Sequence, residues 1–288
     1  MQRRICTFVS LLILIVATGA SAQSQSQPVT PPDRLRDRGP GLPTSMFGTY
    51  VERGQLLVYP FFEYYWDQNF EYKPSELGAP GEEDFRGKYR ASEGLVFVAY
   101  GLRDGLAVEF EVAGISATLD KSSADLSALP LRTKESGLGD IEGQIRWRWR
   151  RETEKRPEIF SYAEVVVPHH ADKLLIGTPG WELKYGVGFV RGHTWGTLTA
   201  RAAIQYEEAS SSHFDLGEYA IEYLRRLSPS VRLYAGIEGT QDELEFITEL
   251  QWLVSPNVFV KLNNGVGLTS KATDWAPEIG VVFSFRSR

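Results

Sequence analysis

Three arginines spaced two apart, Arg146, Arg148 and Arg150, alternate with Trp147 and Trp149 in the stretch Asp140 to Arg151. Successive side chains of a β-strand point to opposite faces, so this spacing gathers the guanidiniums, with Glu142, on one face and the indoles on the other. A face of that kind is suited to sorting charged solutes, because rings and ladders of charge set selectivity in a pore. The same parity in later segments selects Glu164, Glu182, Lys184, Arg201, Glu218, Glu222, Arg232, Glu238, Glu245 and Glu249 as inward candidates. Glu109, Glu111, Glu207, Arg226, Lys261 and Glu278 extend the set. Two arrangements are open to these groups. Opposite charges on neighbouring strands can pair and fill a narrow interior, since an unpaired buried charge is costly. Alternatively, the arginines form a basic ladder opposite an acidic wall from residues 214–254, favouring small polar or zwitterionic solutes.

Bond-making chemistry finds little support. Ser-His-acid catalysis needs a nucleophile within reach of a base, and the histidines are His169, His170, His193 and His213. His213 follows a run of serines, but neighbours in sequence are not a triad, and no nucleophile elbow is present. No catalytic residue, metal site or cofactor is expected. His169 and His170 are adjacent, and adjacent side chains on extended backbone point apart and chelate poorly. Asp67, Glu71, Glu76, Glu82, Glu83 and Asp84 crowd the connection 66–87, which lacks an EF-hand spacing and reads as a solvated acidic loop. Gly137-Leu-Gly-Asp140 is not a phosphate loop, because no helix follows it.

The elements that must hold these side chains are strands. Runs of ten or more residues at 54–65, 88–102, 106–118, 137–151, 157–168, 181–192, 196–207, 214–226, 231–240, 243–254, 258–269 and 276–286 alternate with turn-rich connections. Their lengths suit tilted membrane crossings of about 9–11 residues, and an even count is the bacterial rule. Every second connection is short, such as Arg103-Asp104-Gly105 and Ser255-Pro256-Asn257, while 66–87 and 119–136 are long. That asymmetry is expected of periplasmic turns and outside loops. The outward set includes Val108, Phe110, Leu183, Val187, Ile221, Leu233, Phe246 and Ile279, opposite the charges. Trp149, Trp181, Trp252, Tyr185 and Tyr223 fall towards strand ends, as in interfacial aromatic belts. The faces of the first two strands are mixed and stay unassigned.

The remaining features fit export. Arg3 and Arg4, the apolar run Phe8 to Val16 and Ala20-Ser21-Ala22 predict a cleaved signal peptide over 1–22. Cys6, the single cysteine, lies within it, so a disulfide-stapled domain is excluded. No later apolar run reaches transmembrane-helix length. The proline-rich stretch 23–53 reads as a flexible periplasmic lead-in, with Met46, Phe47 and Tyr50 placed to tuck against a barrel mouth. A net charge of −6 and the lack of a basic, aromatic-interleaved patch argue against nucleic acid. The last strand closes Gly280-Val-Val-Phe-Ser-Phe285, similar to the signal that outer-membrane assembly machinery reads.

Gly137-Leu-Gly-Asp140 opening a long amphipathic strand resembles an element of a family of outer-membrane transporters, often labelled MetA-pathway phenol-degradation or porin-like. The strand Ala163-Glu-Val-Val-Val-Pro168, the hairpin Trp181 to Gly188 and the opening Glu52-Arg-Gly-Gln-Leu-Leu-Val-Tyr-Pro60 are similar to others of that family. The resemblance implies an outer-membrane β-barrel with a transport role and supplies no catalytic or binding residues.

The sequence therefore predicts an all-β chain: a transmembrane antiparallel up-and-down β-barrel over 54–288, preceded by the lead-in 23–53. Its expected setting is the outer membrane, with membrane lipid, the assembly machinery and small solutes as partners. Passive passage through a narrow charged lumen is the expected function. A closed structural barrel and a rim-located lipid hydrolase are the alternatives.

Overall fold

The computed structural model describes residues 31–169, 172–210 and 213–286, so the expected signal peptide lies outside the described residues. Twelve antiparallel strands close into one barrel. They are β1 (Gln55–Tyr72), β2 (Phe85–Arg103), β3 (Leu106–Asp120), β4 (Arg132–Arg150), β5 (Glu158–Val167) and β6 (Glu182–His193), followed by β7 (Gly196–Glu207), β8 (Phe214–Ser228), β9 (Val231–Gly239), β10 (Leu244–Ser255), β11 (Val258–Gly267) and β12 (Ala276–Arg286). Each pairs with its sequence neighbours, and β12 closes on β1. In that seam Glu278–Gly280 oppose Glu63–Phe61 and Phe283–Arg286 oppose Val58–Gln55. The register is the same in both runs, and the gap in pairing between them falls at Pro60, which has no N–H to give a ladder. One end of the barrel carries the tight turns, among them Gly105 at φ 84°. The other carries the longer connections; we call these the turn end and the loop end.

The expected strands are all present, but β1, β2 and β4 run further towards the loop end than their alternation indicates. Asp67 and Glu71 consequently lie within β1, not in the acidic loop, which shortens to 73–84. Register shifts explain the difference. One falls between Asp67 and Phe70 in the β1–β2 ladder and another between Val112 and Gly114 in the β3–β4 ladder. Each inserts a residue and reverses inward and outward parity beyond it.

The outward face is the apolar one. Phe110, Leu183, Val187, Ile221, Leu233, Phe246 and Ile279 are all exposed there. Aromatics collect near both ends: Trp149, Trp195 and Trp252 at the turn end, and Trp66, Trp181 and Trp275 at the loop end. An apolar band between two aromatic belts is the signature of a strand barrel in a bilayer.

The luminal faces of β1 and β2 explain their mixed parity. Leu57, Tyr59, Phe61, Leu95, Phe97 and Ala99 point inward and are buried. They pack on Leu42 and Val51, with Met46 against them. Residues 31–54 therefore are not the flexible lead-in expected from their prolines: they fold into the lumen from the turn end as a plug. The plug begins with a 3-10 turn at Asp33–Leu35 and pairs Leu42–Pro43 with Tyr50–Val51. Each buried aliphatic or aromatic side chain contributes about 1.5–3 kcal/mol, and the barrel wall supplies the apolar surface that the segment lacks by itself. The chain then passes into the wall where Gly54 N–H donates to Gly101 O at 2.8 Å. A Cβ at Gly101 would collide with the backbone of Glu52, so only glycine admits this crossing.

Candidate functional site

The plug is held by charged groups of the turn-end half of the lumen, several of which also pair with one another across the wall. Arg38 reaches Glu152 at 3.0 Å and Glu158 at 3.3 Å, all three buried. Arg148 approaches Glu158 at 3.3 Å and donates to Gly41 O at 2.7 Å. Arg146 approaches Glu109 at 3.3 Å, lies 4.8 Å from the Tyr162 ring centre and donates to Pro43 O at 3.4 Å. Glu109 also accepts from Ser45 N at 2.9 Å and from its hydroxyl at 2.6 Å. On the opposite wall Lys261 bridges Glu249 at 2.9 Å and Phe47 O at 3.2 Å. Arg226 N donates to Asp37 at 2.8 Å. Buried charges persist only when paired and hydrogen-bonded, and here wall and plug complete each other.

This geometry breaks up the arginine ladder expected from spacing. Arg146 and Arg148 clamp the plug and do not face an acidic wall. Arg150 leaves the luminal face: a register shift after Arg148 sets it opposite Ile159, and its Nε donates to Pro157 O at 3.3 Å. The acidic residues anticipated in β8 and β9 do converge, on a single cation. Arg201 contacts Glu218, Glu222 at 3.0 Å and Glu238 at 2.8 Å. Lys184 pairs with Glu164 at 2.8 Å and lies 3.8 Å from Glu218. Glu249 belongs to the plug clamp, Arg232 sits 5.8 Å from the Phe259 ring, and Glu182 accepts from Gln205 at 3.2 Å.

Above the plug lies a cavity of about 680 Å³. Ser45, Met46 and Phe47 form its floor, and residues 174–178 of the connection after β5 line it from the loop end. That connection folds inward because Leu175 and Ile176 bury among Tyr72, Ala91, Ala117 and Leu119. Leu175 N donates to Glu135 at 2.8 Å and Thr178 N to Asp140 at 2.5 Å, which fixes the descent. The apolar triplet Leu174-Leu175-Ile176 inside a polar connection is the sequence signal for this inward fold.

Carboxylates dominate the cavity wall, with Lys184 and Arg201 the cations among them. The ladders set several directly opposite one another: Glu111 against Glu142, Glu238 against Glu245, and Glu278 and Glu93 on either side of Glu63. Glu182 and Glu207 form a further such pair. Like charges directly opposite across a ladder destabilise a sheet. Among the described residues Glu63, Glu93, Glu111, Glu142, Glu245 and Glu278 have no basic partner within ion-pair distance. Six acidic side chains thus line the cavity without a basic partner among the described residues.

The histidines are dispersed. His193 stacks on Trp195 at 4.7 Å at the turn end, His213 Nδ1 lies 3.1 Å from Glu207 O, and His169 N donates to Asp140 at 2.8 Å; His170 lies outside the described residues. At the loop end, Asp125 accepts from Ser127 N at 2.7 Å and from the Tyr72 hydroxyl at 2.9 Å. Burial works against its charge, but these donors outweigh it and hold the Asp125 carboxyl below the usual carboxylate range.

No protein-family model and no curated relative matches the chain. The resemblance to the MetA-pathway family thus stays a reading of short motifs. Solved structures do match. The COG4313 outer membrane channel from Pseudomonas putida F1 is 14% identical at a TM-score of 0.59, over 82% of this chain and 97% of that one. The translocator domain of the autotransporter NalP from Neisseria meningitidis is 12% identical at 0.45, over 80% and 88%. OmpF of Salmonella typhi, in a complex with daunomycin, is 9% identical at 0.34, over 80% and 97%. In architecture this chain is an outer-membrane-type β-barrel of twelve strands.

Proposed function

We propose that the protein resides in the outer membrane and passes small molecules passively through its lumen, with a preference for cations and for zwitterions that present a positive group. One observation carries the preference: carboxylates placed opposite each other around the cavity, from Glu278, Glu63 and Glu93 to Glu111 and Glu142. A wall built for stability alone would not repeat a destabilising pairing. Charge of one sign in a narrow pore concentrates counter-ions and excludes co-ions. The similarity to an outer membrane channel supports the setting, and the apolar alternation of the final strand up to Phe285 supports recognition by the assembly machinery.

The plug favours a second reading, a barrel closed until residues 31–51 move. Single-channel recording of the refolded protein under a salt gradient separates the two. A reversal potential on the cation side, shifting towards zero in the Glu63→Gln/Glu93→Gln/Glu278→Gln variant, is the expected result. Anion selectivity, or selectivity untouched by that variant, would overturn the proposed filter. A correctly folded barrel that conducts only after the plug is removed favours the closed reading.

A further inference from the structure

Beyond the apolar band the outward face of β2–β4 changes character. Ser92, Ser116 and Ser136 stand side by side on the three strands. The next outward positions are Arg90, Thr118 and Lys134, and then Lys88, Asp120 and Arg132. With strands about 4.8 Å apart and alternate residues about 6.7 Å apart, the four basic residues stand at the corners of a rectangle of roughly 7 by 10 Å. All four are exposed. Asp120 is taken by Arg132, at 2.5 and 3.1 Å. Lys88, Arg90 and Lys134 form no ion pair among the described residues, and Arg86 just beyond pairs with Glu71 at 2.9 Å.

The height of this patch identifies what it meets. Leu102, at the turn end of β2, is exposed. About ten residues of tilted strand cross the apolar band of ~25 Å, and that count from Leu102 reaches Ser92. Arg90 is the next outward residue and is in register with the exposed Trp66 of the loop-end aromatic belt. A row of hydroxyls topped by two rows of cations, level with the belt and facing away from the lumen, lies where headgroups lie. Cations at that level attract anionic headgroups, and guanidinium groups suit phosphate oxygens in particular.

We propose that this face of β2–β4 binds the phosphate groups of a glycolipid in the outer leaflet, with the serine row against its sugar and the apolar band against its acyl chains. The inference rests on the outer-membrane reading but not on conduction. Folding of the protein into bilayers, read by heat-modifiable migration, reports on the membrane reading separately.

The test titrates the refolded protein with bisphosphorylated lipid A and with its dephosphorylated form, reading bound lipid by native mass spectrometry. The phosphorylated form should bind at least about tenfold more tightly, with an advantage that shrinks as salt screens the patch. The Lys88→Gln/Arg90→Gln/Lys134→Gln variant should lose that advantage, whereas Arg103→Gln at the turn end of the same strand should keep it. Equal binding of the two lipids by the wild type overturns the proposal without reference to any variant. So does a folded triple variant that still discriminates, or complete displacement of lipid A by millimolar inorganic phosphate, which would mark a free-anion site.

Discussion

At the scale of single residues, Arg201 is the point on which the acidic side of the lumen depends. It holds Glu218, Glu222 and Glu238 together within a buried setting. Removing one member of a buried ion cluster leaves its partners uncompensated, a loss of about 3–5 kcal/mol. Arg201→Ala should lower the urea midpoint of the refolded barrel by a correspondingly large margin. The carboxylate row behaves oppositely: in Glu63→Gln/Glu93→Gln/Glu278→Gln like-charge repulsion is relieved, so stability should hold or rise while cation selectivity falls. A stability loss in that variant would show that the row is structural. Glu63 and Glu93 stand on strands of mixed parity and could not be assigned a face, but Arg201, Glu218, Glu222, Glu238 and Glu278 were legible in the sequence as inward charges because parity alone separates them from the lipid-facing set. Their partners were not, since pairing depends on register between strands. Arg150 shows the limit most clearly: it continues the spacing of Arg146 and Arg148, yet one inserted residue turns it away.

At the scale of elements, the alternation within each strand makes a contrast that is simple to measure. Val187 and Ile221 are exposed on the outward face, whereas Glu222 faces Arg201. An arginine at the bilayer midplane of a barrel costs about 2–4 kcal/mol. Val187→Arg and Ile221→Arg should therefore reduce assembled barrel in membrane fractions far more than Glu222→Gln; equal effects would overturn the assignment of faces. The connection between β3 and β4 offers a pH-dependent case. Because the Asp125 carboxyl titrates below its ordinary value of about 3.9, its stabilising contribution is present above that pH and disappears as pH falls through the lower folded value. Asp125→Asn should open residues 121–131 to protease at neutral pH, with the difference from wild type vanishing in strong acid. Strand existence and the short-turn, long-loop rhythm were readable because periodicity and turn chemistry are local. The loop-end extensions were not, because bulges scramble the very period that reveals a strand.

At the scale of the whole molecule, the plug occupies the turn-end part of the lumen and floors the cavity above it. A chain shortened by residues 33–51 should conduct several-fold more than the intact protein in a planar bilayer, with Trp and Tyr belts and heat-modifiable migration preserved. An unchanged conductance would mean that ions bypass the plug. The sequence pointed to disorder here because it was weighed by itself: a proline-rich segment with scattered apolar residues has no core of its own. The core is the inner wall of β1 and β2, whose mixed parity was in fact the trace of a guest. Leu42, Val51 and Met46 have partners only once the barrel has closed around them.

The short joint between plug and wall, Glu52 to Gly54, has a kinetic consequence. A plug leaving the lumen stays joined to the wall by its C-terminal end, so its return is a first-order step whose rate ignores protein concentration. A leash of that length sets an effective concentration of roughly millimolar. A free peptide copying residues 33–51 would need to approach that level before it could occupy the seat, and dilution can never empty it.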